Sequence, residues 1–348
     1  MSIPPNSRRK SKYEPRSRAA DMQAARTSAM IASLDAEGRE TIAAPFGHAL
    51  CDLAAARPEI VGLSADLSKY TDLHIFAQAY PDRFYQMGMA EGLLMSAAAG
   101  LAREGFIPFA TTYAVFAARR AYDFIAMAIA EENLPVKIVC ALPGLTTGYG
   151  PSHQATEDMA IMRAMPNMVV IDPCDAVDVA QATHAMVAHD GPAYMRLLRG
   201  QVANVLGEYD YQFELGRAKL LREGNDILFI TSGIMTMRAL DAAQHLARDG
   251  VEAAVLHSPT IKPLDQETIL REAQKNSRLV IVAENHSITG GLGDAVAKTL
   301  MTHDVFVPLR QIGLPDEFLD AGALPSLHDQ YGITVDRMVE RVKTWVNQ

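Results

Sequence analysis

The chain has 348 residues, enough for two ordinary domains and a sizeable buried core. Hydrophobic residues make up 49% and charged residues 21%, the balance of a soluble globular protein, and a formal charge of −9 argues against general nucleic-acid or membrane-surface binding. Cys51, Cys140 and Cys174 form no Cys-x-x-Cys or Cys/His group, which argues against a disulfide framework or a zinc site and fits a reducing cytoplasm.

Residues 1–38 open with Arg8, Arg9, Lys10, Lys12, Arg16 and Arg18 among prolines and serines. This is the composition of a partly disordered tail with a helical lead-in, and it lacks the apolar core of a secretory signal. From Thr41 onward, short apolar runs alternate with longer helical patterns. Ile60–Ser64 reads as a strand followed by a turn at Asp66, and Glu91–Leu101 as a buried helix. Phe106–Ala110 reads as a strand, Ala117–Ala130 as a helix, and Val136–Leu142 and Met168–Ile171 as buried strands. Such alternation implies a mostly parallel sheet covered on both faces. Gly200–Glu214 reads as a connection. A second α/β unit starts near Leu215, with strands at Ile227–Ile230, Glu252–Leu256 and Leu279–Ala283 and a helix over Met237–Asp249 closed by Gly250. No apolar run approaches the roughly 20 residues that span a bilayer.

Four segments carry chemistry. Gly88-Met89-Ala90-Glu91-Gly92 sets a carboxylate at the start of an apolar helix, and Phe109 to Phe116 brings aromatics into a strand-to-helix connection. Thr147 to Gln154 is a glycine-rich loop presenting His153, and Arg196-Leu197-Leu198-Arg199-Gly200 places two arginines after a strand.

In order and spacing these segments resemble the C-terminal half of transketolases, especially the split-subunit type. They are also similar to 1-deoxyxylulose-5-phosphate synthase and the beta subunits of 2-oxo acid dehydrogenases. His153 with Gln154, Glu157 and Asp158, then Met165-Pro166-Asn167-Met168, carries the resemblance, and so does Glu284-Asn285-His286 with Gly290-Gly291-Leu292-Gly293. The implied fold is α/β in two domains: a pyrimidine-binding thiamine-diphosphate domain over 39–205 and a transketolase C-terminal domain over 215–348. Residues 206–214 would link them.

The resemblance also implies roles. Glu91 matches the glutamate that activates thiamine diphosphate by holding the pyrimidine nitrogen within hydrogen-bond reach, with an apolar wall keeping the acid protonated. Taken alone, a helix-start glutamate stabilised by the macrodipole is the simpler reading. Tyr113 and Phe116 match aromatics that stack on the pyrimidine. Arg119 stands where many transketolases have a third aromatic, either covering the ring edge or remaining a surface charge. Asp66 and Leu67 match the segment beside the thiazolium. His153 matches the active-site histidine near the donor sugar's hydroxyl, a proton-exchanging role that suits its range. Arg199 matches the arginine that holds substrate phosphate. Arg196 is a weaker candidate, because an odd separation on an extended chain points it the other way.

Departures accompany the resemblance. Ala43-Ala44, Ala141, Tyr149 and Tyr70 stand where the family often has a basic residue, a histidine, an acid and a serine that contact sugar or phosphate, which points to an unusual donor or acceptor. The family's magnesium-binding Gly-Asp-Gly is absent from the sequence. A metal site is therefore not expected in this chain, and a partner chain carrying Gly-Asp-Gly and a downstream Asn should supply Mg2+ and the diphosphate site, as α2β2. The expected function is two-carbon ketol transfer from a ketose to an aldehyde acceptor. The alternatives are a 2-oxo acid dehydrogenase beta subunit, an acyl transferase like 1-deoxyxylulose-5-phosphate synthase, or a nucleotide-binding doubly wound protein using Gly291-x-Gly293.

Overall fold

The structure, a computed structural model, describes residues 35–275 and 278–347; the expected tail up to residue 34 lies outside the described residues. The rest of that stretch is tied down. The Asp35 carboxylate accepts from Arg238 Nε at 3.1 Å, joining the lead-in to the second unit.

A seven-stranded sheet forms the first unit from β2 (Ile60–Ser64), β3 (Phe84–Gln86), β4 (Ile107–Tyr113), β5 (Lys137–Ala141), β6 (Val169–Ile171) and β7 (Ala193–Leu197). The small antiparallel pair β1 (Thr41–Ala43) and β8 (Gln201–Ala203) lies beside it. The second unit is a five-stranded sheet of β9 (Lys219–Arg222), β10 (Ile227–Thr231), β11 (Ala253–His257), β13 (Val280–Ser287) and β14 (Leu309–Leu314). The strand between β11 and β13 in chain order, β12 (Thr260–Lys262), leaves its own unit and closes the edge of the first sheet as its seventh strand, in the order β12-β6-β7-β5-β4-β2-β3. Pairs within the first sheet are parallel except β12 with β6. In the second sheet, ordered β14-β13-β10-β11-β9, only β9 runs antiparallel. Strands β2, β5, β7, β10 and β11 are buried throughout, so they read as mostly continuous apolar runs rather than alternating ones, with Lys137 and Arg196 as buried charges in β5 and β7.

Three segments depart from expectation. The strand expected to end at Ala110 continues to Tyr113, and the helix expected over Ala117–Ala130 starts at once from it at Ala114. That helix breaks at Ala121, where φ is −118°, and its last turn, Ala126–Ala130, is π-helical. The expected connection Gly200–Glu214 is strapped down: β8 lies in it, Tyr211 and Phe213 are buried, and Asp175 accepts from the amides of Val205 (2.8 Å) and Leu206 (2.6 Å). Its aromatics bind it to the core.

A buried polar network joins the two sheets. The Arg196 guanidinium, 1% exposed, donates to Asp158 (2.9 and 3.1 Å), to Asp172 (3.2 Å) and to the Asn285 carbonyl (2.9 Å). Asp172 also accepts from Ser232 Oγ at 2.7 Å, and its carbonyl accepts from Gly233 N at 2.9 Å. Farther along, Glu284 accepts from the amides of Leu292 (2.6 Å) and Gly293 (2.9 Å), sealing the start of helix Leu292–Thr302. Among the described residues no helix is long and apolar enough to cross a membrane.

Truncating Arg196 leaves two carboxylates buried without a counter-charge. Arg196→Ala should therefore lower the unfolding free energy by about 3–5 kcal/mol in a denaturant titration. A loss comparable to that of a surface pair would show that the network does not carry the interface.

Candidate active site

The segments singled out in the sequence gather where the parallel strands of the first sheet end. Asp66 and Leu67 follow β2, Glu91 follows β3, Tyr113 closes β4, the His153 loop follows β5, and Arg199 follows β7. Open parallel sheets bind ligands at this carboxyl edge.

Glu91 is the first residue of helix Glu91–Arg103 and is 5% exposed. Gly92 lets that helix start close to its neighbour: a Cβ there would lie 2.6 Å from the Phe124 ring. Glu91 Oε1 accepts from Arg120 Nη1 at 3.1 Å, and the Arg120 guanidinium lies 3.9 Å over the Phe116 ring. The apolar wall expected around Glu91 is thus replaced on one side by a cation. Phe116 and Arg120 are four residues apart on helix Ala114–Arg120, so they share one face.

His153 is half-buried among three rings. Its centroid lies 5.4 Å from Phe116, 5.3 Å from Tyr149 and 6.3 Å from Tyr113, edge-on to each. Nδ1 lies 2.9 Å from Ser152 Oγ. Burial, with the nearby Arg120 charge, holds the imidazole below its usual range. Tyr113 and Phe116 lie 5.7 Å apart, and burial pushes the Tyr113 phenol up to about 12. The loop carrying His153 is pinned by the second unit: Leu145 N donates to Asn285 Oδ1 at 3.0 Å, Gln154 Nε2 to the Asp320 carbonyl at 3.1 Å, and Ser287 N to the Thr156 carbonyl at 2.8 Å.

Arg199 stands apart from the other cations among the described residues in one respect. Its Nε and Nη2 are buried with no hydrogen-bond partner, and its guanidinium centre lies 5.9 Å from the Tyr70 ring. Burial raises the neighbouring Asp72, which the Gly200 amide and the Arg199 charge pull back down. Asp66, at φ 60°, is exposed and exchanges hydrogen bonds with Gln86, at 2.8 and 3.2 Å; Leu67 is half-buried, its amide donating to Ser64 Oγ at 3.0 Å.

Two expected residues face elsewhere. Arg196 is turned into the core, its guanidinium occupied by Asp158, Asp172 and Asn285, so it offers nothing to a substrate. Arg119 neither covers a ring edge nor stands free; it donates to the loop around His153. Arg120 was missed, although four-residue spacing from Phe116 was the available signal. Tyr149 and Tyr70, read only as departures, line the cluster themselves.

The donor set fits the pyrimidine end of thiamine diphosphate: a buried carboxylate whose arginine partner lies over an aromatic ring, with a guanidinium holding two unpartnered nitrogens at the same strand-end edge. Among the described residues one group has metal-ligand spacing, Cys174, Asp178 and His257. There Asp178 already accepts from Tyr211 Oη (2.7 Å) and the Cys174 amide (2.8 Å) and contacts His257 Nε2 at 2.9 Å.

Two α/β units, with a carboxylate, an aromatic wall and a histidine gathered at one sheet edge, make an α/β protein with a strand-end site. The pyrimidine-binding domain of transketolase matches residues 40–204 and the transketolase C-terminal domain residues 216–338; the chain belongs to the transketolase family. An uncharacterized transketolase family protein, y4mN, of Sinorhizobium fredii is 65% identical over 323 residues, covering 92% of this chain and 94% of its own. The 6-deoxy-6-sulfo-D-fructose transketolase subunit SqwH of Clostridium sp. is 40% identical, covering 83% and 89%. A solved split gene transketolase, an inactive β4 tetramer, superposes with a TM-score of 0.80 at 40% identity, covering 87% of this chain and 97% of that one. The 1-deoxy-D-xylulose-5-phosphate synthase of Symbiobacterium thermophilum is 35% identical, and this chain spans 47% of it. Members of these families depend on thiamine diphosphate.

The cluster makes a titration prediction. In the isolated chain, NMR should find His153 titrating below 6.5, and Arg120→Gln should move it upward while burial keeps it short of the usual value. An unmoved titration would separate Arg120 from the imidazole.

Proposed function

We propose that this chain is the pyrimidine-binding subunit of a two-chain, thiamine-diphosphate-dependent transketolase. It would transfer a two-carbon ketol unit from a ketose to an aldehyde acceptor. The observation that carries this reading is Glu91, buried at a helix start, joined through Arg120 to Phe116 and within the same strand-end cluster as His153. The likeness to a transketolase subunit and to a split gene transketolase supports it.

When bound, thiamine diphosphate supplies the nucleophilic carbon that attacks a ketose carbonyl. Glu91 would present a carboxyl oxygen to the pyrimidine nitrogen, and Arg120, which now donates to that oxygen, must yield it to the ring. Phe116 and Tyr113 orient the flat ring and exclude water. His153, largely neutral at pH 7 because its pKa is lowered, exchanges a proton with a substrate hydroxyl at a ring nitrogen. Arg199 takes an anionic group of the substrate on its two unpartnered nitrogens, and that group can be a phosphate or another oxyanion. No Gly-Asp-Gly occurs in the sequence, so a partner chain completes the site with Mg2+ and the diphosphate pocket, as α2β2 in the cytoplasm. The proposed domains run over 39–205 and 215–348, joined by 206–214.

The likeness to 1-deoxy-D-xylulose-5-phosphate synthase supports a second reading, acyl transfer following 2-oxo acid decarboxylation. Parallel assays of ketol transfer and of 2-oxo acid decarboxylation separate the two.

With the partner chain present, Glu91→Gln should cut turnover about 10²- to 10⁴-fold while leaving the thermal midpoint in place. Wild-type turnover in that variant would sink the assignment. Arg199→Ala should raise KM for an anionic ketose about 10- to 100-fold, the worth of a charged hydrogen bond, with a smaller effect on an uncharged donor. Equal effects on both donors would remove Arg199 from substrate recognition.

A further inference from the structure

Arg119 and Phe116 lie on the same short helix, and the His153 loop passes directly beside it. The Arg119 guanidinium reaches across the gap with every nitrogen engaged. Nη1 donates to the Pro151 carbonyl at 2.7 Å and Nη2 to the Gln154 carbonyl at 3.3 Å, so the two acceptors bracket His153 in sequence. Nε and Nη2 grip the Glu157 carboxylate side-on, with Nη2 to Oε2 at 3.0 Å. Thr156 Oγ1 donates to the same Glu157 oxygen at 3.1 Å, fixing the acceptor.

We propose that Arg119 is a positioning residue that fixes His153 against Phe116, and so fixes the histidine relative to the cofactor ring. The inference rests on the proposed function for what His153 does, while the clamp itself stands on geometry. The second unit holds the outer side of the loop through Gln154, Thr156 and Gly148. Arg119 supplies the inward tie, to the helix that carries the aromatic wall. Four acceptor oxygens, two of them on one carboxylate, suit the five donors of a guanidinium fork better than the three of an ammonium.

The pair is one-third exposed on each side, 33% for Arg119 and 34% for Glu157. An ion pair so exposed adds little to global stability. A shift of about 1 Å in a catalytic group, by contrast, can cost about 100-fold in rate. Function and folding therefore separate at this position.

The test uses the full chain with Arg119→Met, Arg119→Lys and Glu157→Gln, each measured alone and with the partner chain. In the isolated chain, NMR should show the His153 imidazole of Arg119→Met with altered shifts and a titration moved up toward 6.5 as the loop loosens. With the partner, kcat should fall about 10- to 100-fold while the Kd for thiamine diphosphate changes by less than about threefold. Arg119→Lys should fail to restore kcat, and Glu157→Gln should show the same pattern more weakly. Wild-type titration and kcat in both Arg119→Met and Glu157→Gln would overturn the clamp. So would weaker thiamine diphosphate binding with kcat intact, which would return Arg119 to the cofactor itself. Should no ketol transfer occur even in the wild type, the proposed function fails, and the NMR arm still decides whether Arg119 sets the histidine.

Discussion

One guanidinium, that of Arg196, governs how the two sheets meet. Taking a cation and two carboxylates out of water costs several kcal/mol per ion, repaid only by close and complete pairing. Here the pairing is complete because each partner comes from a different element. Asp158 begins the helix just after the His153 loop, Asp172 follows β6, and Asn285 belongs to β13 of the second unit. The Asn285 side chain then holds Leu145 near the start of the same loop. Gly144, at φ 59°, packs so tightly on Asn285 that no side chain fits there. The loop is thus anchored at both ends by a network that also fixes the inter-sheet distance.

With that frame set, the strand ends divide the work of the site. The strand β3 leads into Glu91, β4 into the aromatic wall, β5 into the histidine loop and β7 into Arg199. Tyr113 ends a buried strand and Arg199 follows one closely, whereas Glu91 comes after the partly exposed β3 and His153 rides on a long loop past β5 that the second unit holds in place. The neighbourhood of Glu91 is more polar than a wholly apolar socket, because Arg120 lies flat on Phe116 and reaches the carboxylate.

Much of this arrangement was legible in the sequence, and the gaps have definite physical causes. Mostly continuous apolar runs marked the central strands, and the motif segments marked Glu91, Phe116 and His153 as a group. Strand alternation set Arg196 and Arg199 apart, and their surroundings differ: Arg196 is fully paired in the interior, while Arg199, two residues past the end of β7, keeps two buried nitrogens without partners. Alternation has no sign, however, and the acids that claim Arg196 come from sequence positions 24 and 38 residues away. Adjacent arginines on a helix point about 100° apart, so choosing between Arg119 and Arg120 required knowing that the helix starts at Ala114. Sequence likewise gave no sign that β12 would leave its own unit, since edge pairing over long separation leaves no local pattern.

The seal formed by Glu284 has a wider bearing. In doubly wound folds the amides opening a helix after a glycine-rich turn are the usual seat for a phosphate group. Here the Leu292 and Gly293 amides are already spent on the protein's own acid, and Gly291 is compressed against that same side chain. The C-terminal half therefore keeps the outline of a nucleotide-binding fold with its anion port plugged from within, and its glycines serve as internal joinery.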